Sequence, residues 1–260
     1  MSHRKRSHPP PAAARRSATY GVGLLCLCFY TVSAALLAAE DAADLIKKLT
    51  AKYRAEREDA FQKLKALGKD AVPALESALK DENPKLRYWA ASLLGNAKSR
   101  ESIPKLVEAL KDPDLGVRRA AASALGELGD PSAIPALSAL VTDPSRDLRS
   151  DAVLALAALG GDKAVEPLSK ALQDKDAIVR GCAAMGLGYS ASAKAVPSLI
   201  QALSDENPKV RAKADTALKL LTKLLNKKER DMGFKPDAPE DERNKAIELW
   251  KLYWKVSDKK

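Results

Sequence analysis

A step of 31 residues organises most of this 260-residue chain. From Asp81 it reaches Asp112, Asp143, Asp174 and Asp205, and from Arg87 it reaches Arg118, Arg149, Arg180 and Arg211. Apolar columns keep the same step: Val72, Ile103, Ile134, Val165 and Val196; Leu75, Leu106, Leu137, Leu168 and Leu199; Leu94, Leu125, Leu156, Leu187 and Leu218. A period of this length marks a stacked repeat array, in which each unit buries its apolar face against its neighbours. That excludes a layered domain with one central core and predicts an elongated all-α molecule.

The second copy, Ser99 to Gly129, shows how a unit is built. Ile103, Leu106, Val107 and Leu110 fall on one face at helical spacing and predict a helix over Glu101 to Lys111. Pro104 sits in its first turn, where a missing N–H costs little, and Pro73, Pro135 and Pro197 share the column. The fourth copy has Glu166 there and Pro167 next to it. A second helix is expected from Leu115 to Leu128, with Val117, Ala121, Ala124, Leu125 and Leu128 inward. Asn83, Asp114, Ser145, Asp176 and Asn207 precede the second helices and are all good N-cap types. The column Ala90, Ala121, Ala152, Ala183, Ala214, with Gly95, Gly126, Ala157 and Gly188, predicts close helix approach.

The Asp and Arg columns form a ladder of charge. A carboxylate at a tight turn accepts backbone N–H bonds, and an Arg six residues later can fork onto it or onto the neighbouring turn. A group repeated once per unit serves to join units, so the ladder is read as structural.

Residues 1–39 differ in kind. Arg4, Lys5, Arg6, Arg15 and Arg16 precede an uncharged run from Ser17 to Ala39. A basic segment followed by an apolar one reads as an export signal, with cuts expected after Ala35 or Ala39. Left uncut, residues 17–39 are long enough to anchor the chain in a membrane. Arg15-Arg16 is only a weak twin-arginine signal, because no bulky apolar pair follows. Both main readings place the repeats outside the cytoplasm, in the periplasm, the envelope or the medium. The five basic residues supply half of the net charge of +10, so residues 40–260 carry 39 basic against 34 acidic residues. That is an ordinary solvated surface. Cys182 is the one cysteine beyond residue 39, which leaves no internal disulfide.

Residues 40–67 are expected to cap the array at its start, with Phe61, Leu64 and Leu67 as the apolar edge. Repeats occupy residues 68–225, and residues 226–260 form a linker and a capping helix. That last helix starts near Pro239 with an acidic first turn, and Trp250 and Trp254 stand one turn apart beside Ile247.

No catalytic, cofactor or metal constellation is legible. No histidine follows His8, so Ser-His-Asp and Cys-His machinery are missing from the repeats. Gly126-Glu127-Leu128-Gly129 and Gly186-Leu187-Gly188 are expected to close helices and are not phosphate loops.

The run Val117 to Leu137 (VRRAAASALGELGDPSAIPAL) resembles the short bacterial HEAT repeat, also called the phycobiliprotein-lyase HEAT-like repeat. The export-like start and the tail from Gly233 to Trp254 are similar to exported planctomycete-type HEAT proteins of unknown role. The resemblance implies a right-handed α-solenoid whose second helices line a concave, protein-binding face. Relatives that hydroxylate a lysine derivative need His-Glu pairs, which this chain lacks.

The expected function is a non-enzymatic, exported scaffold with a protein partner and no cofactor. Two columns should face the concave side: Tyr88, Arg119, Ser150, Gly181, Ala212, and Ser92, Ser123, Leu154, Met185, Thr216. Tyr88, Arg119, Leu154, Met185 and Tyr189 are the candidate partner-binding residues, unless Leu154 and Met185 rotate into the core. One alternative is a nucleic-acid-binding array using the Arg column with Lys85, Arg119, Lys209 and Lys213. A remoter one is an accessory subunit of a bilin-lyase-like enzyme.

Overall fold

The computed structural model describes residues 42–226 and 232–257. The export, cleavage and anchor expectations for residues 1–39 lie outside these residues. Among the described residues no helix is long and apolar enough to cross a membrane, and no strand occurs.

Thirteen helices account for the described chain. After α1 (42–48) and α2 (Arg54–Leu67), five pairs follow: α3 (Val72–Ala78) with α4 (Pro84–Asn96), α5 (Ile103–Ala109) with α6 (Leu115–Leu128), α7 (Ile134–Leu140) with α8 (Arg146–Leu159), α9 (Gly161–Ala171) with α10 (Ala177–Tyr189), and α11 (Val196–Ala202) with α12 (Pro208–Leu224). α13 (Glu240–Ser257) closes the array. The fold is an all-α solenoid of stacked antiparallel pairs.

The expected first helix from Glu101 to Lys111 needs correction. The segment enters as a 3-10 turn, Arg100–Ser102, and only Ile103–Ala109 is α-helical. The prolines explain this, because a proline at the second helical position supplies no N–H to bond back to the preceding turn. Gly68–Ala71, Pro131–Ala133 and Ala193–Ala195 are 3-10 turns in the same place. In the fourth unit Glu166 restores that N–H, and α9 runs unbroken from Gly161. The second helix of the second unit starts and stops where the sequence predicts it, between the cap at Asp114 and the left-handed Gly129. All five predicted N-caps accept a backbone N–H, from Lys85, Val117, Leu148, Ile178 and Lys209.

The second helices α4, α6, α8, α10 and α12 stack on one another in a continuous row, and each first helix packs on its own partner. The leucine columns at 75 and 94 are fully buried through all five units. Each such side chain contributes roughly 1.5–3 kcal/mol of burial. Small residues set the spacing of the row. A Cβ on Gly95 would stand 2.8 Å from Cα of Ala124, one on Gly126 2.9 Å from Ala155, and one on Gly188 2.8 Å from Ala217. Gly186 and Gly188 therefore do not close a helix as expected. They lie inside α10, which ends at Tyr189, and serve contact with neighbouring helices.

Both ends are sealed. Ala42, Ile46, Leu49, Ala60 and Leu64 are buried at the first, where Phe61 packs on Trp89 with ring centroids 5.3 Å apart. At the other end the 31-residue register runs on past residue 225. Pro236 is five steps from Asp81, and its carbonyl accepts Nε of Arg211 at 2.7 Å. α13 then begins where a sixth second helix would, but it rests against α11 rather than extending the row. It buries Ala246, Ile247, Trp250 and Trp254.

Candidate protein-binding face

The Asp–Arg ladder decides which charges are free. In every turn the aspartate accepts the backbone N–H two residues on, at 2.8 Å: Asn83, Asp114, Ser145, Asp176 and Asn207 donate to Asp81, Asp112, Asp143, Asp174 and Asp205. Each arginine of the column donates Nη1 to two carbonyls of its own turn; Arg149 reaches Asp143 at 3.0 Å and Pro144 at 3.2 Å. Three arginines also fork onto the aspartate 25 residues later. Arg87 holds Asp112 at 2.7 and 2.8 Å, Arg149 holds Asp174 at 2.6 and 2.9 Å, and Arg180 holds Asp205 at 2.8 and 3.0 Å. No such fork from Arg118 to Asp143 occurs among the contacts of the described residues. Arg211 uses the Pro236 carbonyl instead.

The forked groups, Asp112, Asp174 and Asp205, are saturated. Burial works to raise the pKa of Asp112 and Asp174, but the arginine forks and the turn N–H bonds outweigh it and hold both carboxylates below their ordinary pKa. The same forks raise Arg87, Arg149 and Arg180. A carboxylate with its lone pairs filled and its charge locked is a joint between units, with no proton to exchange near neutral pH. The array also carries a ladder arginine that the sequence reading passed over. Arg57 donates Nη1 to Ala51 and Lys52 carbonyls at 2.8 and 3.1 Å, the contacts the column makes elsewhere. It stands 30 residues before Arg87, so a search at a fixed step of 31 steps over it.

No group of three or more His, Cys, Asp and Glu side chains able to hold a metal occurs among the described residues. Cys182 is a free, half-buried thiol.

The side of the second-helix row turned away from the first helices carries the candidate residues. Leu154 is 54% exposed and Tyr189 59%. Met185 is half-buried, so rotation into the core applies to it in part and to Leu154 not at all. Tyr88 is exposed and stands edge-on to Trp89, with centroids 5.1 Å apart. Arg119 crosses to the next unit, with Nε 2.5 Å from Asp151 and Nη1 3.8 Å from Asp147. That bond to Asp151 raises the pKa of the Arg119 guanidinium above its ordinary value. Ser150 and Ala212 are half-buried and Gly181 is buried. Sequence reasoning missed Ile178, which is 57% exposed on the same side. The signal was present, since its column otherwise reads Lys85, Gly116, Asp147 and Lys209.

The model for HEAT repeats matches residues 72–157 and 165–231, more than half of the chain. The chain belongs to the HEAT-repeat family. Within the HEAT array, residues 148–174 also match the PBS lyase HEAT-like repeat. No curated protein matches the chain. Among solved structures, an engineered protein is similar at 24% identity and a TM-score of 0.48, over 71% of this chain and 97% of that one. The complex of CpcE and CpcF of phycocyanin lyase from Nostoc sp. PCC7120 is similar at 22% identity and a TM-score of 0.47, over 80% and 92%. Human deoxyhypusine hydroxylase is similar at 21% identity and a TM-score of 0.39, over 86% and 99%.

Proposed function

We propose that this HEAT array is a non-enzymatic protein-binding scaffold that offers the free side of its second-helix row to a protein partner. One observation carries the reading. The columns that join units are uniform, whereas the columns above them change chemistry from unit to unit and hold Arg119, Leu154, Ile178 and Tyr189 in the open. A surface that only had to be soluble would not need large apolar side chains more than half exposed in neighbouring units. A photocrosslinking residue at Leu154 or Tyr189 is expected to capture a protein partner in the source cells. Capture only from Gln173, exposed in the turn between α9 and α10, would overturn the choice of face.

The arginines that a nucleic-acid reading would use are engaged with carboxylates and carbonyls, which favours protein over nucleic acid. Duplex DNA titrated at low salt is expected to show no binding. A location outside the cytoplasm is supported by residues 1–39 alone, and a reporter active only after export, fused behind residue 39, tests it.

A second reading has a specific observation behind it. The match of residues 148–174 to the PBS lyase HEAT-like repeat supports an accessory subunit of a bilin-lyase-like enzyme at least as well as it supports a general scaffold. It, too, requires contact with another protein. Visible absorbance from a bilin in the material captured at Leu154 would decide for it.

A further inference from the structure

Across the free side of the row, neighbours in successive units stand 32 residues apart. Arg119 meets Asp151 in this way, and Gly181 meets Lys213. At the first position a guanidinium and a carboxylate close on each other at 2.5 Å. At the second the cation is on the opposite member and its neighbour has no side chain. Lys213 lies across the gap: a Cβ on Gly181 would stand 3.0 Å from its Cδ and 3.1 Å from its Nζ. Lys213 is half-buried, and no carboxylate pairs with it among the described residues. Lys209 stands one turn before it on α12 and is exposed.

Apolar side chains surround this notch. Ile178 and Met185 lie three and four residues from Gly181 on α10, on the same helix face. Tyr189 follows Met185 by one turn, and Leu154 precedes Met185 by one period. Ile178, Leu154 and Tyr189 are each more than half exposed.

We propose that this notch receives a segment of a partner protein in which a carboxylate stands beside a large apolar side chain. The carboxylate sits over Gly181 on the Lys213 ammonium, and the apolar side chain lies against Ile178, Met185 and Leu154. The inference rests on the reading of the second-helix row as the binding face. Its reasons are physical. The ammonium of a half-buried lysine with no carboxylate partner gains a charge-assisted bond, and the exposed side chains leave water on contact. Arg119, already neutralised by Asp151 and Asp147, offers no such attraction. The acidic group is therefore expected at the C-terminal half of the array, and a basic segment is repelled there by Lys209 and Lys213.

Two fluorescein-labelled peptides of equal length test this, one alternating leucine and glutamate, the other leucine and lysine. The Leu-Glu peptide is expected to bind the full chain, and Lys213→Gln to weaken it by about tenfold, the scale of one charge-assisted bond. Gly181→Ala is expected to weaken it as well by displacing the ammonium. Because that Cβ meets only the flexible end of Lys213, the urea midpoint should hold. Equal binding of the Leu-Lys peptide, no binding of the Leu-Glu peptide, or undiminished binding to Lys213→Gln overturns the inference. The crosslink at Leu154 separates this from failure of the broader reading. Capture that persists in the Lys213→Gln chain leaves the face intact and removes the notch, whereas loss of all capture from Leu154 and Tyr189 removes both.

Discussion

Ala157 and Gly186 exchange roles at one junction of the row. Elsewhere glycine comes first and alanine second, as in Gly126 with Ala155 and Gly188 with Ala217. Between α8 and α10 the alanine is on the earlier helix, and a Cβ on Gly186 would stand 2.8 Å from the Cβ of Ala157. Each pair has room for one methyl group. Gly186→Ala is expected to cost about 2 kcal/mol through overpacking. Adding Ala157→Gly, which rebuilds the order used at the other junctions, should recover most of it. Urea melts of the single and double variants measure the coupling, and a double variant no more stable than Gly186→Ala would contradict the one-methyl rule.

Two neighbouring arginines should behave differently. Arg149 is 4% exposed and its partner Asp174 5%. Arg149→Ala leaves a buried carboxylate without its cation and is expected to cost about 2–3 kcal/mol. Arg119, 44% exposed, makes a surface pair, and Arg119→Ala should cost within about 0.5 kcal/mol. Equal urea midpoints would refute the distinction.

Acid should loosen the junctions. Asp112 and Asp174 are held below their ordinary pKa in the folded chain. The unfolded chain therefore takes up protons first as pH falls. The stability these groups contribute is complete above the ordinary carboxylate value of about 4 and drains away as pH drops through their lower folded values. Thermal melts across that window should fall less steeply for Asp174→Asn than for the parent, from a lower starting point. Parallel curves would show that Asp174 is not part of the acid response.

Asp215 breaks an apolar column, since Ala91, Ala122, Val153 and Ala184 occupy its place in the other units. It is buried and pairs with Lys219 at 2.8 Å, yet its Oδ1 has no hydrogen-bond partner. Asp215→Ala should raise stability by about 1 kcal/mol, because the unmet acceptor costs more than one half-exposed pair returns. A lower midpoint in this variant would mean that Asp215 has a role beyond packing.

Deletion of residues 237–260 should lower the melting temperature and promote self-association while most helical signal survives. The deletion removes the buried Trp250 and Trp254 and opens the last unit to water. Light scattering and a thermal melt check it. A truncated chain that stays monomeric and equally stable would assign the two tryptophans to a partner.

The strict step of 31 residues makes the all-α solenoid, the N-caps and the buried leucine columns legible in the sequence, because each depends on local spacing repeated in every unit. The period could also place Asp and Arg columns side by side in register. It could not say which oxygen each guanidinium meets, since a fork from Arg149 to Asp174 spans two units and depends on how they lean together. The missing fork at Arg118, the exchange between Ala157 and Gly186, and the open side chain of Leu154 have the same cause. They are set by distances of a few ångströms between stacked helices, and a sequence period fixes order along the chain but not those distances. The docking of α13 on α11 follows this rule too. Its register assigns it to the second-helix row, but it packs on α11 with Trp250 and Trp254 buried.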